Sequence, residues 1–237
     1  LAGGALDKTL AALLEDYGFD RGSIAAMPGT VQGYMIDRVM SAREALQPLE
    51  LAYFFDVVES DGRVTFRARG QSAPIALVAP GDLVEAKVGS PLMTVTRGQE
   101  TDLPASAKIS YIDGDRDYQP AVAEARRLAG SSGRVAQAEL PIVMDALTAQ
   151  PLSETWLFES WSMRERFALT LPPSRLAVEA GDVLMMTAAG QSRQIRVTEI
   201  GDHGAREIEG RSFDPDVYLG SPSGVREPGT GPDVYAG

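Results

Sequence analysis

Four acidic residues near the middle of the chain have the spacing of a calcium-binding loop. Positions one, three, five and twelve of an EF-hand are filled by Asp113, Asp115, Asp117 and Glu124. Carboxylate oxygens in this pattern are the ligands that Ca²⁺ prefers, but Tyr118 stands at position six, where the loop needs glycine. A strand before and a short helix after the segment also differ from the two helices of an EF-hand. We interpret the segment as a solvated acidic turn and predict no metal site.

Hydrolytic chemistry has two further sets of candidate residues. His203 is the only imidazole, and its neighbour Asp202 is adjacent in sequence, which does not orient it as a triad would. No G-x-S-x-G nucleophile turn is present. A carboxylate pair for glycoside hydrolysis could come from Glu154, Glu159 and Glu165, but these lie on one predicted helix and not on separate strands across a cleft. We interpret them as its polar face and predict no catalytic residue and no enzymatic activity.

Composition narrows the function classes. The 237 residues include 33 acidic and 22 basic side chains, for a net charge of −11. Such a chain is a poor nonspecific binder of nucleic acid or anionic lipid. The absence of cysteine excludes disulfides and thiolate metal sites. No phosphate-binding GK[ST] loop and no run of about 18 apolar residues occurs, so neither a cofactor nor a membrane span is expected.

The N-terminal sequence LAGGALDKTL lacks the basic and apolar regions of a signal peptide. The chain begins at Leu1 and not at Met, and we interpret it as a processed or partial product of something larger.

The first half of the chain, residues 1–105, is predicted to be a helix-plus-hairpin module. Apolar residues at three- and four-residue spacing predict a helix over 5–17, and Ser41 with Glu44 forms a capping box for a second helix over 42–53. Asp61-Gly62 between two β-rich runs predicts a tight hairpin turn.

The second strand of that hairpin carries a basic strip. Arg63, Arg67 and Arg69 alternate with the apolar residues Val64 and Phe66, so one face of the strand is charged. We predict that this strip makes assembly contacts by pairing with acidic groups on a neighbouring subunit or domain. A solvated face is the alternative.

The second half, residues 106–213, is predicted to be a β-rich domain with one long helix. We expect a strand over 107–113, a short helix over 121–128, an extended segment over 134–143, a helix from Pro151 to about Phe167, and closely spaced strands over 166–171, 182–189, 193–201 and 206–213. Residues 214–237 are predicted to be an extended linker. The predicted class is α+β, mainly β, with a small antiparallel β-barrel or sandwich plus helix-and-hairpin modules.

Two stretches, 33–70 and 109–186, together resemble a known family. The matching features are the helix cap Ser41, the turn Asp61-Gly62, the run Phe66-Arg67-Ala68-Arg69-Gly70, the group Tyr111, Asp113, Tyr118 and Gln119, and the turn Gly181-Asp182-Val183. They resemble the hub region of the large tail-tip proteins of siphophage-like particles, and in particular the baseplate host-specificity protein of alphaproteobacterial gene transfer agents.

The resemblance implies a structural role in the tail of a phage-like particle. It implies a hub fold, with three copies forming a ring that joins the tail tube to the tip and surrounds the path of DNA. The expected partners are copies of the chain and neighbouring tail proteins, with passing DNA not specifically bound. The expected locations are the particle and, during assembly, the bacterial cytoplasm.

Two other functions stay open at this point. A carbohydrate- or receptor-binding module at the tail tip would use exposed aromatic residues such as Tyr118, Trp156 or Trp161. A cell-wall hydrolase would need the metal ligands, cysteine or carboxylate cleft that the sequence does not offer. Burial of the tryptophans would argue for the hub.

Overall fold

The computed structural model describes residues 2–19, 24, 27–60, 63–71, 73–128, 130, 132–175, 177–188, 191–202 and 204–219. The helices of this part of the chain are α1 (Leu6–Asp16), α2 (Ala42–Tyr53) and α3 (Ala146–Ser162). The strands are β1 (Ala2–Ala5), β2 (Thr30–Tyr34), β3 (Phe55–Ser60), β4 (Arg63–Ala68), β5 (Ala76–Val78), β6 (Met93–Arg97), β7 (Ser106–Asp113), β8 (Gln119–Arg126), β9 (Val135–Met144), β10 (Glu165–Leu171), β11 (Val183–Ala188), β12 (Gln191–Asp202) and β13 (Arg206–Ser212). The predicted α+β, mainly β class is confirmed.

A five-stranded sheet has the strand order β1-β2-β9-β7-β8, with β7 and β9 parallel. The sheet, α1 and α2 share one hydrophobic core. The predicted apolar stripe of α1 contributes the buried residues Leu6, Leu10 and Leu13 to it. The capping box of α2 is present as predicted, with Ser41 accepting from the backbone of Glu44 and the Glu44 carboxylate accepting from the backbone of Ser41. These two helices are therefore specified by local sequence.

A six-stranded sheet has the order β5-β11-β12-β13-β10-β6. Its inner face buries a second core that includes Phe167, Leu169, Leu184 and Ile195. Within the described residues this sheet is open and not a closed barrel, since β5 and β6 lie at its two edges. Both large sheets contain strands from each side of residue 105, the boundary predicted from the sequence. The division of the chain into domains at residue 105 stays a prediction.

The third sheet is the predicted hairpin. Strands β3 and β4 pair antiparallel from Phe55 opposite Ala68 to Ser60 opposite Arg63. The turn residues Asp61 and Gly62 lie outside the described residues, as does His203. Within the predicted linker, Pro215–Tyr218 form a 3-10 turn, and residues 220–237 lie outside the described part.

Two predicted helix assignments were wrong. Residues 119–126 form strand β8, because pairing with β7 buries the alternating Ala123 and Ala125 and outweighs the helix propensity of the segment. Helix α3 begins earlier than predicted, at Ala146, with the Asp145 side chain accepting from the backbone of Thr148. Pro151 therefore lies inside the helix.

The end of α3 also differs from the prediction. The helix stops at Ser162, and Glu165 already pairs with β6 in the six-stranded sheet. Among the described residues, no helix combines the length and apolar character needed to cross a membrane.

Candidate functional site: an ionic junction beneath the hairpin

The hairpin brings Arg67 against the turn that precedes β11. One guanidinium nitrogen lies 2.9 Å from the Glu179 carboxylate, and another pairs with Asp182. Asp182 is held in place because its second oxygen accepts from the backbone of Glu179 at 2.7 Å. One arginine of the basic strip therefore ties the hairpin to the six-stranded sheet.

Arg69 ties the same hairpin to α3. Its Nε lies 3.1 Å from Asp56 on the neighbouring strand, and its Nη1 lies 2.7 Å from Glu159 on the helix. Asp56 also pairs with Arg196 of β12 through its other oxygen. A carboxylate between two guanidinium groups neutralises part of their mutual repulsion. We call the set Asp56, Arg67, Arg69, Glu159, Glu179, Asp182, Arg196 and Tyr218 the ionic junction.

Tyr218 closes the junction from the C-terminal side. Its hydroxyl donates to Glu159 at 2.7 Å. Burial raises the pKa of the Tyr218 phenol well above its ordinary value, and the adjacent Glu159 carboxylate raises it further. The phenol therefore stays protonated and remains a donor. Burial lowers the pKa of Arg196 from its ordinary value, but guanidinium groups remain charged at any physiological pH.

Close packing fixes the position of Tyr218. Its ring lies 5.5 Å from Phe54 edge-on and 5.9 Å from Phe213 in a stacked arrangement. Gly70 is required at the base of the ring, because an added Cβ would lie 2.6 Å from the Tyr218 Cβ. The tail residues 215–218 are therefore part of the folded body.

The junction explains why the residues of two sequence motifs occur together. In the run 66–70, Phe66 packs edge-on against Phe55 in the core, Arg67 and Arg69 make ion pairs, and Gly70 admits Tyr218. In the turn before β11, Gly181 has a left-handed φ of 87°, and a Cβ there would lie 3.1 Å from Val58. Both motifs serve contact between the hairpin and its surroundings.

The structure does not gather the other predicted acidic residues into a site. Asp113 is buried and accepts from the backbone of Asp115, whereas Glu124 lies on β8 and pairs with Lys108 at 3.5 Å. Asp117 and Tyr118 occupy a turn with left-handed φ values of 50° and 58°. Among the described residues, no group of three or more His, Cys, Asp or Glu side chains could hold a metal ion.

The three glutamates assigned to one polar helix face have separate roles. Glu159 was assigned to the polar face of the helix, but it is buried in the ionic junction and accepts from Arg69. Glu154 accepts from Gln150 one turn earlier, and Glu165 lies on β10, where it pairs with Arg193 at 2.7 Å. These contacts do not form a two-carboxylate cleft.

The aromatic residues proposed for ligand stacking are placed differently from one another. Trp161 is buried, its indole N–H donates to the carbonyl of Pro104 at 2.8 Å, and the Arg127 guanidinium lies 3.5 Å from its ring centre. Trp156 is partly buried against the core, and Tyr118 is 69% exposed. A flat platform that includes Trp161 is therefore not available to a ligand.

Sequence reasoning singled out Arg67 and Arg69 but missed other members of the ionic junction. Asp56, Arg196 and Tyr218 are each ordinary residues in their local sequence. Only the alternating pattern of β3 and β12 could have suggested which face of its strand Asp56 or Arg196 occupies, and it gives no indication of their pairing. The side chain of Arg63 lies outside the description.

Comparison with solved structures finds chains with a similar fold in phage-like particles and prophage tails. A chain from the virion of a native gene transfer agent particle is 26% identical, with a TM-score of 0.85 over 95% of this chain and 50% of that one. A 43 kDa tail protein of prophage MuSo2 from Shewanella oneidensis is 14% identical, with a TM-score of 0.57 over 92% and 68% of the two chains. A tail protein from Neisseria meningitidis MC58 is 10% identical, with a TM-score of 0.60 over 92% and 69%.

The chain spans about half the length of the matched gene transfer agent chain. The two less identical structures share the fold with it. No curated protein matches the sequence. The family model described as "Putative phage tail protein" matches residues 41–200, which is more than half of the chain. The chain therefore belongs to this phage tail protein family.

Proposed function

We propose that the chain is a hub segment of the tail baseplate of a phage-like particle related to gene transfer agents. Three copies form a ring that joins the tail tube to the tip and surrounds the path of DNA. The observation that carries this proposal is the likeness to the gene transfer agent virion chain over 95% of the sequence. The chain assembles in the bacterial cytoplasm, resides in the particle and catalyses no reaction.

The charge of the chain suits a conduit. With a net charge of −11, the ring repels the phosphates of DNA, whereas a basic wall would hold them through release of counterions. DNA therefore passes without specific binding. Function in this proposal depends on shape and on self-association.

Arg63, Arg67 and Arg69 are the proposed assembly contacts. Arg67 and Arg69 already have carboxylate partners inside the chain, so reversing both to Glu disrupts the ionic junction as well as any contact between subunits. Arg63→Glu is compared with the double reversal because Arg63 is the third proposed assembly contact. Unchanged particle assembly with Arg63→Glu and with the double reversal would count against these contacts.

Imaging of intact particles tests the ring directly. We expect density for this chain in three copies around the tail axis, between the tube and the tip. Mass measurement of the purified chain shows whether the segment self-associates without its neighbours. A position away from the axis would contradict the proposal, and clearing of a peptidoglycan suspension by the purified chain would contradict the non-enzymatic role.

A further inference from the structure

The outer face of the six-stranded sheet carries a row of three arginines on neighbouring strands. Arg196 of β12 is opposite Arg211 of β13, Arg211 is opposite Arg166 of β10, and Arg166 is opposite Thr96 of β6. Residues directly opposite each other in a sheet point to the same face, and like charges in such pairs are destabilising. The row therefore concentrates positive charge in a chain whose net charge is −11.

The arginines at the two ends of this row differ in burial and in ion pairing. Arg196 is buried beneath the hairpin and pairs with Asp56. Arg166 is exposed and Arg211 is partly exposed, and neither forms an ion pair within the part of the chain that the structure describes. Arg196 therefore has a carboxylate partner on the covering strand β3, whereas Arg166 and Arg211 have no such partner among the described residues.

The two uncovered arginines line a groove of about 270 Å³. Its walls are low because the neighbouring outward-facing residues are short, namely Thr94, Thr96, Ala168 and Thr198. Glu209 also lines the groove without pairing with either arginine. The groove thus combines two unneutralised guanidinium groups with hydroxyl donors and with room for an added chain.

The adjacent strand indicates which kind of polymer fits. β6 is an edge strand, so one side of its backbone is not paired within the sheet. An extended polypeptide can form a ladder of backbone hydrogen bonds with such an edge, whereas a nucleic acid cannot, because its backbone lacks alternating N–H donors and carbonyl acceptors. Guanidinium groups pair with carboxylates at shorter distances and more strongly than with neutral acceptors.

We propose that this groove binds an extended, carboxylate-bearing polypeptide segment of a neighbouring tail subunit, in the way that Asp56 of the hairpin covers Arg196. The proposal rests on the function proposed above, since it requires a neighbouring subunit. The incoming segment lies along β6 and directs acidic side chains toward Arg166 and Arg211.

Titration of the isotope-labelled full chain with two anionic probes tests this inference. Hexaglutamate supplies carboxylates on a polypeptide, and hexathymidylate supplies phosphates on a nucleic acid. We expect low-millimolar hexaglutamate to shift the Nε–Hε signals of Arg166 and Arg211 and the amide signals of β6. Hexathymidylate should have a much smaller effect at the same concentration and salt.

Matched variants sharpen the outcome. Arg166→Gln together with Arg211→Gln should weaken hexaglutamate binding by about tenfold or more, since two charged partners are removed. Arg126→Gln is the control, because Arg126 is an exposed strand arginine on β8 of the other sheet. A dispersed amide spectrum confirms that each variant folds.

Three results would overturn the proposal: no shifts at the groove with hexaglutamate, equal or tighter binding of hexathymidylate there, or equal binding by the double variant and the wild type. None of these bears on the ring, whose position is tested by imaging of particles.

Discussion

The outer face of the six-stranded sheet has one part that the hairpin covers and another that is open, and the arginines of the two parts differ in burial and in pairing. Beneath the hairpin, Arg196 is buried and has Asp56 as its partner. Two strands away, Arg166 is exposed in a groove and has no described carboxylate partner. A buried guanidinium without a partner costs several kcal/mol, whereas an exposed one is solvated at little cost. Covering a charged face therefore requires that the covering element supply opposite charge.

The comparison also shows what the ionic junction contributes. It connects the hairpin to β12, to the turn before β11 and to α3 through separate carboxylates. Such a connection does not require a large apolar interface, and it fixes the orientation of the hairpin because each pair restricts a different direction. We infer that the junction holds the hairpin as one body with the two larger sheets.

The largest expected change in the free energy of unfolding is that of Arg196→Gln, compared with the same substitution at Arg211 in the arginine row. Arg196→Gln leaves Asp56 with one guanidinium partner and a buried amide in place of an ion pair, and should lower the free energy of unfolding by about 2–4 kcal/mol. Arg211→Gln is the control, with an expected change within about 0.5 kcal/mol. Urea unfolding measures both, and equal losses would remove the distinction between the two halves.

Packing at the closed end of the junction is tested by Gly70→Ala. The new Cβ would lie 2.6 Å from the Tyr218 Cβ, so the 3-10 turn must shift, and we expect a loss of about 1–3 kcal/mol. Gly81→Ala is the matched control, because no heavy atom lies within 4 Å of its Cβ position. If thermal unfolding midpoints of the two variants agree, Tyr218 does not pack as described.

The polar link of Tyr218 is tested by Tyr218→Phe, which keeps the ring. Loss of a hydrogen bond to the Glu159 carboxylate should lower the free energy of unfolding by about 1–2 kcal/mol at neutral pH. The pKa of Tyr218 is raised in the folded state, so its contribution is complete below the ordinary value of 10 and is lost as the pH rises through the folded value.

Stability of the wild type should therefore fall above pH 10. Tyr34 and Tyr53 contribute to this fall, because burial raises the pKa of each to about 12. The unfolding free energy of Tyr218→Phe should fall less steeply with rising pH than that of the wild type, since only the contribution of Tyr218 is removed. Parallel curves of unfolding free energy against pH for the two proteins would show that Tyr218 titrates normally.

The smallest effect is expected in the open groove. Arg166→Gln removes one of two like charges that lie directly opposite each other, so stability should stay unchanged or rise by up to about 0.5 kcal/mol at low salt. The gain should disappear at high salt because screening removes the repulsion. A loss above about 1 kcal/mol in urea unfolding would mean that Arg166 has a stabilising partner.

Local sequence was sufficient for elements whose determinants lie within a few residues. The stripe of α1, the Ser41–Glu44 capping box and the alternation of β4 each involve neighbours along the chain, and each element was predicted close to its observed bounds. The hairpin arginines Arg67 and Arg69 were found for the same reason, since alternation places them on one face.

Tertiary structure decided the partners and the surroundings. Arg67 meets its carboxylates 112 and 115 residues away, and Arg69 meets Glu159 at a separation of 90. Segment 119–126 became a strand because β7 pairs with it, although its composition suits a helix. Sequence by itself determined which short segments could form and which faces were charged. The packing of distant segments alone decided which charges were buried together, because burial energies depend on neighbours that the local sequence does not contain.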